Sequence, residues 1–314
     1  MQIVTIGQSL NWLCIKITYI YRPDINGFQI LLFRSIICTI ATYLFVNKDI
    51  KNAMVDSVPR DQYANLFFRC MQGMVVKSIQ FSIFKYWKLT TISMIVSLGP
   101  IFTVLGGILC LGESVNCSDV IQIALSFIAI CFITLNSLED RKAMEAESKN
   151  VTIEEDSRNY ARRDHFRLDL FLLLLSVPFG ISVQNILLRK MKKMNSNTIS
   201  CYVNPFMALG SVLMLLFLGS DTHNFMYEIV TTQPPVLAMF VFMGTSTLCQ
   251  QIAKFKAHQH ESAAKNSVWV YLETPYQWLY DFLFIHSYLN TYQLLGLLIL
   301  SATYYLKIND VIKE

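Results

Sequence analysis

Apolar residues fill this chain in long blocks, and polar residues collect in short runs between them. Charge-free runs, counting His as neutral, cover 89–112, 120–138, 170–188, 194–220 and 229–253, and the run 282–306 holds a last block at about 289–306. Each is close to, or longer than, the roughly 20 helical residues that cross a bilayer. Four more blocks are apolar but interrupted by charge: 3–21 by Lys16, 26–46 by Arg34, 61–84 by Arg69 and Lys77, and 266–286 by Glu273 and Asp281. The pattern predicts an all-α integral membrane protein of ten transmembrane helices.

The fourth block, LTTISMIVSLGPIFTVLGGILCLGE, carries punctuation inside it. Pro100 has no N–H, so it leaves the carbonyl of Val96 without its helical partner. Such a gap in a membrane has to be met by another helix, a hydroxyl or a cavity. Gly99, Thr103 and Gly107 recur every four residues and form a small-residue face that admits a close neighbour. Glu113 falls where the span leaves the membrane and marks a helix end.

Residues 139–169 break the apolar pattern, with nine acids and seven bases. They read as a solvated linker between five spans and five spans. The two halves look like distant copies. Asn11 and Lys16 are matched by Asn185 and Lys190 at an offset of 174, and Pro100 by Pro275 at 175. A five-span unit crosses an odd number of times, so its second copy must insert upside down. The expected organisation is a first repeat over 1–138, a charged lumenal or extracellular linker over 139–166, and a divergent second repeat over 167–314. With the N-terminus cytoplasmic, twelve Lys and Arg, Lys254 and Lys256 among them, fall in cytoplasmic loops against Arg22, Lys85 and Lys88 opposite. That bias places both termini in the cytoplasm, of either an endomembrane or the plasma membrane. Asn150-Val-Thr152 is then a lumenal glycosylation sequon.

Composition agrees with the pattern. Of 314 residues 54% are hydrophobic and 15% charged, with mean hydropathy +0.41; soluble domains carry about 25% charge. A net charge of +4, spread in short runs, does not suggest a nucleic-acid partner. The eight cysteines form no CxxC and fall mostly in apolar runs, so they read as buried thiols. The N-terminus lacks a basic region and a cleavage site, so no signal peptide is expected.

Candidate chemistry lies where charge enters a span, since an ionisable group at a helix centre costs about 2.5–3.5 kcal/mol on insertion scales. In span 3, Arg69, Gly73, Lys77, Gln80 and Phe84 share one face; in span 9, Glu273, Gln277 and Asp281 do. At about 1.5 Å rise per residue, Lys77 and Asp281 lie about 6 Å and 7 Å past mid-membrane on one side, and Glu273 about 4–5 Å on the other. Two readings compete. Lys77 and Asp281 form a buried ion pair, or Lys77 meets an anionic part of a substrate while Glu273 or Asp281 binds a proton or cation. Arg34 and Lys16 read as structural, and Asn11 and Asn185 as bonds across helices or cavity lining. His258-Gln-His260-Glu261 reads as a loop with no metal-site spacing. No HExxH, GxSxG or GxxxxGK[ST] motif occurs, so neither an intramembrane enzyme nor direct ATP drive is expected, and no cofactor or metal is expected.

Residues 61–137 contain FFRCMQGMVVKSIQFSIFKYWKLTTISMIVSLGPIFTVLGGILCLGE followed by an apolar fifth span. This resembles the drug/metabolite transporter superfamily, in its EamA-like branch that includes the solute carrier 35 group. The resemblance rests on a third helix ending in an aromatic-rich turn, on Pro100-Ile-Phe-Thr103, and on Leu111-Gly112-Glu113. It implies ten helices in two inverted five-helix repeats, with helices 1, 3, 4, 6, 8 and 9 around a central cavity. The second half departs from the pattern: Pro275 is present, but His286-Ser-Tyr288 stands where Gly-Glu should fall. The resemblance implies a secondary transporter moving a small polar or anionic metabolite, a nucleotide sugar among the candidates, by alternating access. Lys77, Gln80, Glu273, Gln277, Asp281, Asn11 and Asn185 are the expected transport-path residues. A non-transporting receptor or scaffold on the same fold stays open. The expected partners are the lipid bilayer and a small-molecule substrate, with a homodimer left open.

Overall fold

A computed structural model of the chain describes residues 2–47, 51, 54, 58–112, 168–192, 194–218, 234–260, 270–271, 273–285 and 291–313, with positions 120–121, 124–125, 127–129 and 132. Every regular element among them is helical: α1 (Gln2–Tyr21), α2 (Gly27–Val46), α3 (Tyr63–Ile83), α4 (Leu89–Val96), α5 (Gly99–Gly106), α6 (Leu168–Lys190), α7 (Ser196–Phe217), α8 (Pro234–His260), α9 (Glu273–Ile285) and α10 (Thr291–Lys313). Short 3-10 and π turns join them at Arg60–Gln62 and Gly107–Leu111. Glu113, the sequon, His286-Ser-Tyr288, most of the fifth span and nearly all of the linker lie outside the described residues.

Among the described residues, five helical stretches are long and apolar enough to cross a membrane: Gly27–Val46, Leu89–Cys110, Leu170–Lys190, Ser196–Phe217 and Pro234–Ala257. Their outer faces keep large apolar side chains exposed, among them Leu44, Leu109 and Phe217, as lipid contact requires and water disfavours. Described cysteines are all free; Cys38, Cys70 and Cys201 are buried, whereas Cys110 and Cys249 lie on the exposed surface, contrary to the reading of buried thiols.

The fourth span is broken, not merely bent. Its helix stops at Val96 and a new one starts at Gly99, which places Pro100 in the first turn of α5. There a proline needs no N–H and its fixed φ suits the helix. Ser97 at the break shares a hydrogen bond of 3.1 Å with Thr274 at the start of α9. The small face then packs on α6. Thr103 Oγ1 donates to Ser182 Oγ at 3.0 Å, and Ser182 lies 2.8 Å from the carbonyls of both Gly99 and Pro178. Gly106, beside the predicted Gly107, makes the closest approach: a Cβ there would meet Ile186 at 2.2 Å.

Helices of the two halves interleave. α2 lies along α7, α1 on α8, α3 on α6 and α7, and α9 on α4. Polar side chains pin these contacts: Asn11 donates to Thr247 at 3.1 Å, and Asn204 to Thr42 at 3.1 Å. At the α1–α2 turn Arg22 bonds Asp24 at 2.7 Å and holds its carboxyl below the usual carboxylate range. Asn26 and Gln29 then form a capping box that starts α2.

Gly27, the first residue of α2, sits against α3: a Cβ would lie 2.9 Å from the Ser82 backbone nitrogen. Backbone cannot step aside as a side chain can. Gly27→Ala is therefore expected to destabilise by about 1–3 kcal/mol, read as a lower melting temperature in detergent. Gly99→Ala, whose Cβ would find its nearest neighbour at 3.8 Å, is the control and should melt close to the parent.

Candidate functional site

The third span supplies the core of the site because its polar residues repeat at helical spacing. On α3, Arg69, Gly73 and Gln80 are buried and Lys77 is half-buried. Gly73 has a spatial reason: a Cβ there would lie 2.8 Å from Nη1 of Arg69. The missing side chain gives the guanidinium room beside its own helix. Lys77 Nζ donates to Gln80 Oε1 at 2.8 Å, one turn on.

Three other helices bring ionisable groups into the same electrostatic neighbourhood. Arg34 comes from α2, Lys254 from α8 and Glu273 from the first turn of α9. The Arg34 guanidinium stacks over the Phe81 ring at 4.9 Å, and that of Arg69 over the Phe255 ring at 5.7 Å. Among the described residues none of the four cations forms an ion pair; the pair between Arg22 and Asp24 lies in the α1–α2 turn. Arg34 Nε, Arg69 Nε and Nη1, Gln80 Nε2, Gln251 Oε1 and Glu273 Oε2 are buried without a hydrogen-bond partner among them. Lys77 and Lys254 are each half-buried. The chemistry on offer among the described residues is a positively charged cluster with one carboxylate and spare hydrogen-bonding capacity.

Depth matching had put Lys77 beside Asp281. The structure separates them. Asp281 Oδ2 accepts from the Thr90 backbone N–H at 2.8 Å and from the Thr90 hydroxyl. The residue before α4, Lys88, offers no side-chain cap, so Asp281 supplies one from another helix. Glu273, expected to stand apart, is the acid that senses both Lys77 and Lys254. Gln277 lies fully buried and donates to the Ser9 carbonyl of α1 at 3.3 Å. Pro275 falls in the first turn of α9. Asn11 bonds across to α8, as above, and Asn185 is buried with its Oδ1 unpartnered. Lys16 caps the end of α3, donating to the carbonyls of Phe84 at 3.1 Å and Trp87 at 2.9 Å.

The sequence reading missed Lys254, which it placed in a loop. α8 runs on to His260, so Lys254 lies inside the span Pro234–Ala257 and His258 and His260 are helical. The signal was present but weak: Gln251 and Lys254 are three apart, the spacing of Lys77 and Gln80.

Asp281→Ala would leave the Thr90 N–H and hydroxyl without their acceptor, a loss of about 1–3 kcal/mol. Asp281→Asn keeps an acceptor oxygen and should lose less. Thermal unfolding of both variants checks the order.

Comparisons with known proteins agree with the fold. A search of curated proteins finds no match. A solved structure titled only "Crystal structure of protein" superposes with a TM-score of 0.64 over 98% of this chain and 97% of that chain, at 11% identity. That identity speaks for the fold alone. Residues 3–135 match the EamA-like transporter family. The resemblance carried by Pro100-Ile-Phe-Thr103 and its neighbours agrees with that match: residues 3–135 are similar to EamA-like transporters, and the apolar helices indicate an integral multi-pass membrane protein.

Proposed function

We propose that the protein carries a small anionic metabolite across a membrane by alternating access between two inverted five-helix halves. The observation that carries this reading is the gathering of Arg34, Arg69, Lys77 and Lys254 about one carboxylate among the described residues, that of Glu273. Unpaired charge in an apolar bundle is costly and marks a ligand path or a counter-ion site. An anionic substrate would complete the missing half of each interaction.

Reciprocal packing supports the repeat. If α1 to α4 correspond to α6 to α9, the contact of α1 with α8 is mirrored by α3 with α6, and α2 with α8 by α3 with α7. The ends of the bundle differ. Lys16 and Asp281 clamp the α3–α4 turn from α1 and α9, whereas Lys190, the repeat partner of Lys16, is exposed. This asymmetry fits a state closed at the α3–α4 end and open at the other. With the termini cytoplasmic, that state faces the cytoplasm.

Uptake into proteoliposomes tests the reading. Anionic metabolites should enter, while neutral and cationic ones of similar size should not. Lys77→Gln should cut the initial rate about tenfold, the worth of one charge-assisted hydrogen bond; a rate equal to the parent's would refute the role. Glu273 is the proposed proton site. Glu273→Gln should remove any dependence of uptake on an imposed pH gradient, and uptake indifferent to both the gradient and the variant would sink the coupling.

A further inference from the structure

The third helices of the two halves carry the same residues in exchanged order. Lys77-Ser-Ile-Gln80-Phe81 on α3 stands at an offset of 174 from Gln251-Ile-Ala-Lys254-Phe255 on α8. Asn11 with Asn185, and Lys16 with Lys190, share that offset. Each segment thus offers a lysine, a glutamine three residues away, and a phenylalanine.

The structure turns both segments to the same use. Phe81 and Phe255 are each almost fully buried, and each carries a guanidinium on its face, Arg34 on the first and Arg69 on the second. Lys77 stands one helical turn before Phe81, and Lys254 directly precedes Phe255, so each ring that seats a guanidinium has a lysine beside it in the chain. The cations therefore divide into two pairs, each seated on its own ring. Each pair also has a glutamine with an unpartnered buried amide atom, Nε2 of Gln80 and Oε1 of Gln251. Glu273 senses both lysines and belongs to neither pair alone. Arg69 and Lys77, which fall in different pairs, are eight residues apart on α3. At 1.5 Å per residue their backbones are separated by about 12 Å along the helix. The two anchoring positions therefore start from two levels of α3.

We propose that the site is two-headed: Arg34, Lys77 and Gln80 hold one anionic group, Arg69, Lys254 and Gln251 hold a second, and the substrate is an elongated molecule with an anionic group at each end. This rests on the transport reading above and narrows its substrate class to chain-like dianions. The shared chemistry is two separated oxyanion heads, which either carboxylates or phosphonates can supply. Glu273 holds the lysines between turnovers and gives way to the substrate's charges. Two heads joined by one chain gain affinity because the second is bound without a second loss of translational freedom.

The test is binding to the purified full-length protein in detergent, by titration calorimetry and thermal shift. The probes are succinate, glutarate, adipate and suberate, the bisphosphonates of matched chain length, and the monomethyl ester of each dicarboxylate. One or more dianions should bind about tenfold or more tightly than the matching half-ester, since one charge-assisted anchor is worth at least that. Affinity should peak at one chain length, and the carboxylate and phosphonate series decide which head the site takes. Lys77→Gln and Lys254→Gln should each reduce the preference over the half-ester to about twofold or less. Lys256→Gln, an exposed cation two residues from Lys254, should leave the preference intact. Half-esters that bind as well as dianions would overturn the two-headed site, and this comparison needs no variant to fold. A preference that survives either lysine variant would overturn it as well. In both cases uptake of monoanions would leave the transport reading standing; binding of no anion at all would remove both.

Discussion

Four cations held inside an apolar bundle against one carboxylate set the terms for the rest of this molecule. Each costs about 2.5–3.5 kcal/mol at a helix centre on insertion scales. The ring contacts of Arg34 and Arg69 recover about 0.5–2 kcal/mol each, less than the guanidinium groups lose. No ion pair among the described residues closes the gap. The arrangement is therefore not one that packing alone would select. It is tolerable only where the groups keep access to water or to a ligand, and neither Lys77 nor Lys254 is fully buried. Gly73, which frees the space beside Arg69, and the buried rings of Phe81 and Phe255 are consequences of the same demand.

The bilayer imposes the second constraint. Helix ends and helix breaks expose backbone groups that lipid cannot satisfy. The chain meets this with side chains from distant helices. Lys16 of α1 covers the Phe84 carbonyl at the end of α3, where a cation also suits the helix dipole, and the Trp87 carbonyl in the turn beyond; Asp281 of α9 covers the Thr90 N–H in the first turn of α4. Ser97 and Thr274 meet where the fourth span breaks. The same contacts that repair the backbone tie α1 and α9 to the α3–α4 turn. Local backbone chemistry and closure of one end of the bundle are here one set of hydrogen bonds.

Much of this was legible in the chain. Hydropathy blocks located the helices because a membrane span must be continuous and apolar, and helical spacing gathered Arg69, Lys77 and Gln80 onto one face because α3 is regular. Pro100 marked the broken span, although a proline alone cannot say whether a helix bends or restarts. The pairing of Lys77 with Asp281 failed because equal depth on two helices does not make them neighbours. The break in the fourth span brings an open helix start to Asp281, and two donors of Thr90 outcompete a lysine on another helix. Lys254 was missed because four basic or His residues close behind it resemble a loop; only the length of α8 shows that the helix carries it inward.

Asp281 and Glu273 lie on one face of α9, two turns apart, yet the structure gives them opposite roles. One oxygen of Asp281 accepts two hydrogen bonds, so protonating or displacing it would unfasten the start of α4. Its charge is committed to the fold. Glu273 has a buried oxygen without a hydrogen-bond partner among the described residues, and two lysines within electrostatic reach. A carboxylate can answer the arrival and departure of substrate only if the fold does not need it in one fixed state. By that criterion Glu273 fits the proposed transport role, and Asp281 serves the start of α4.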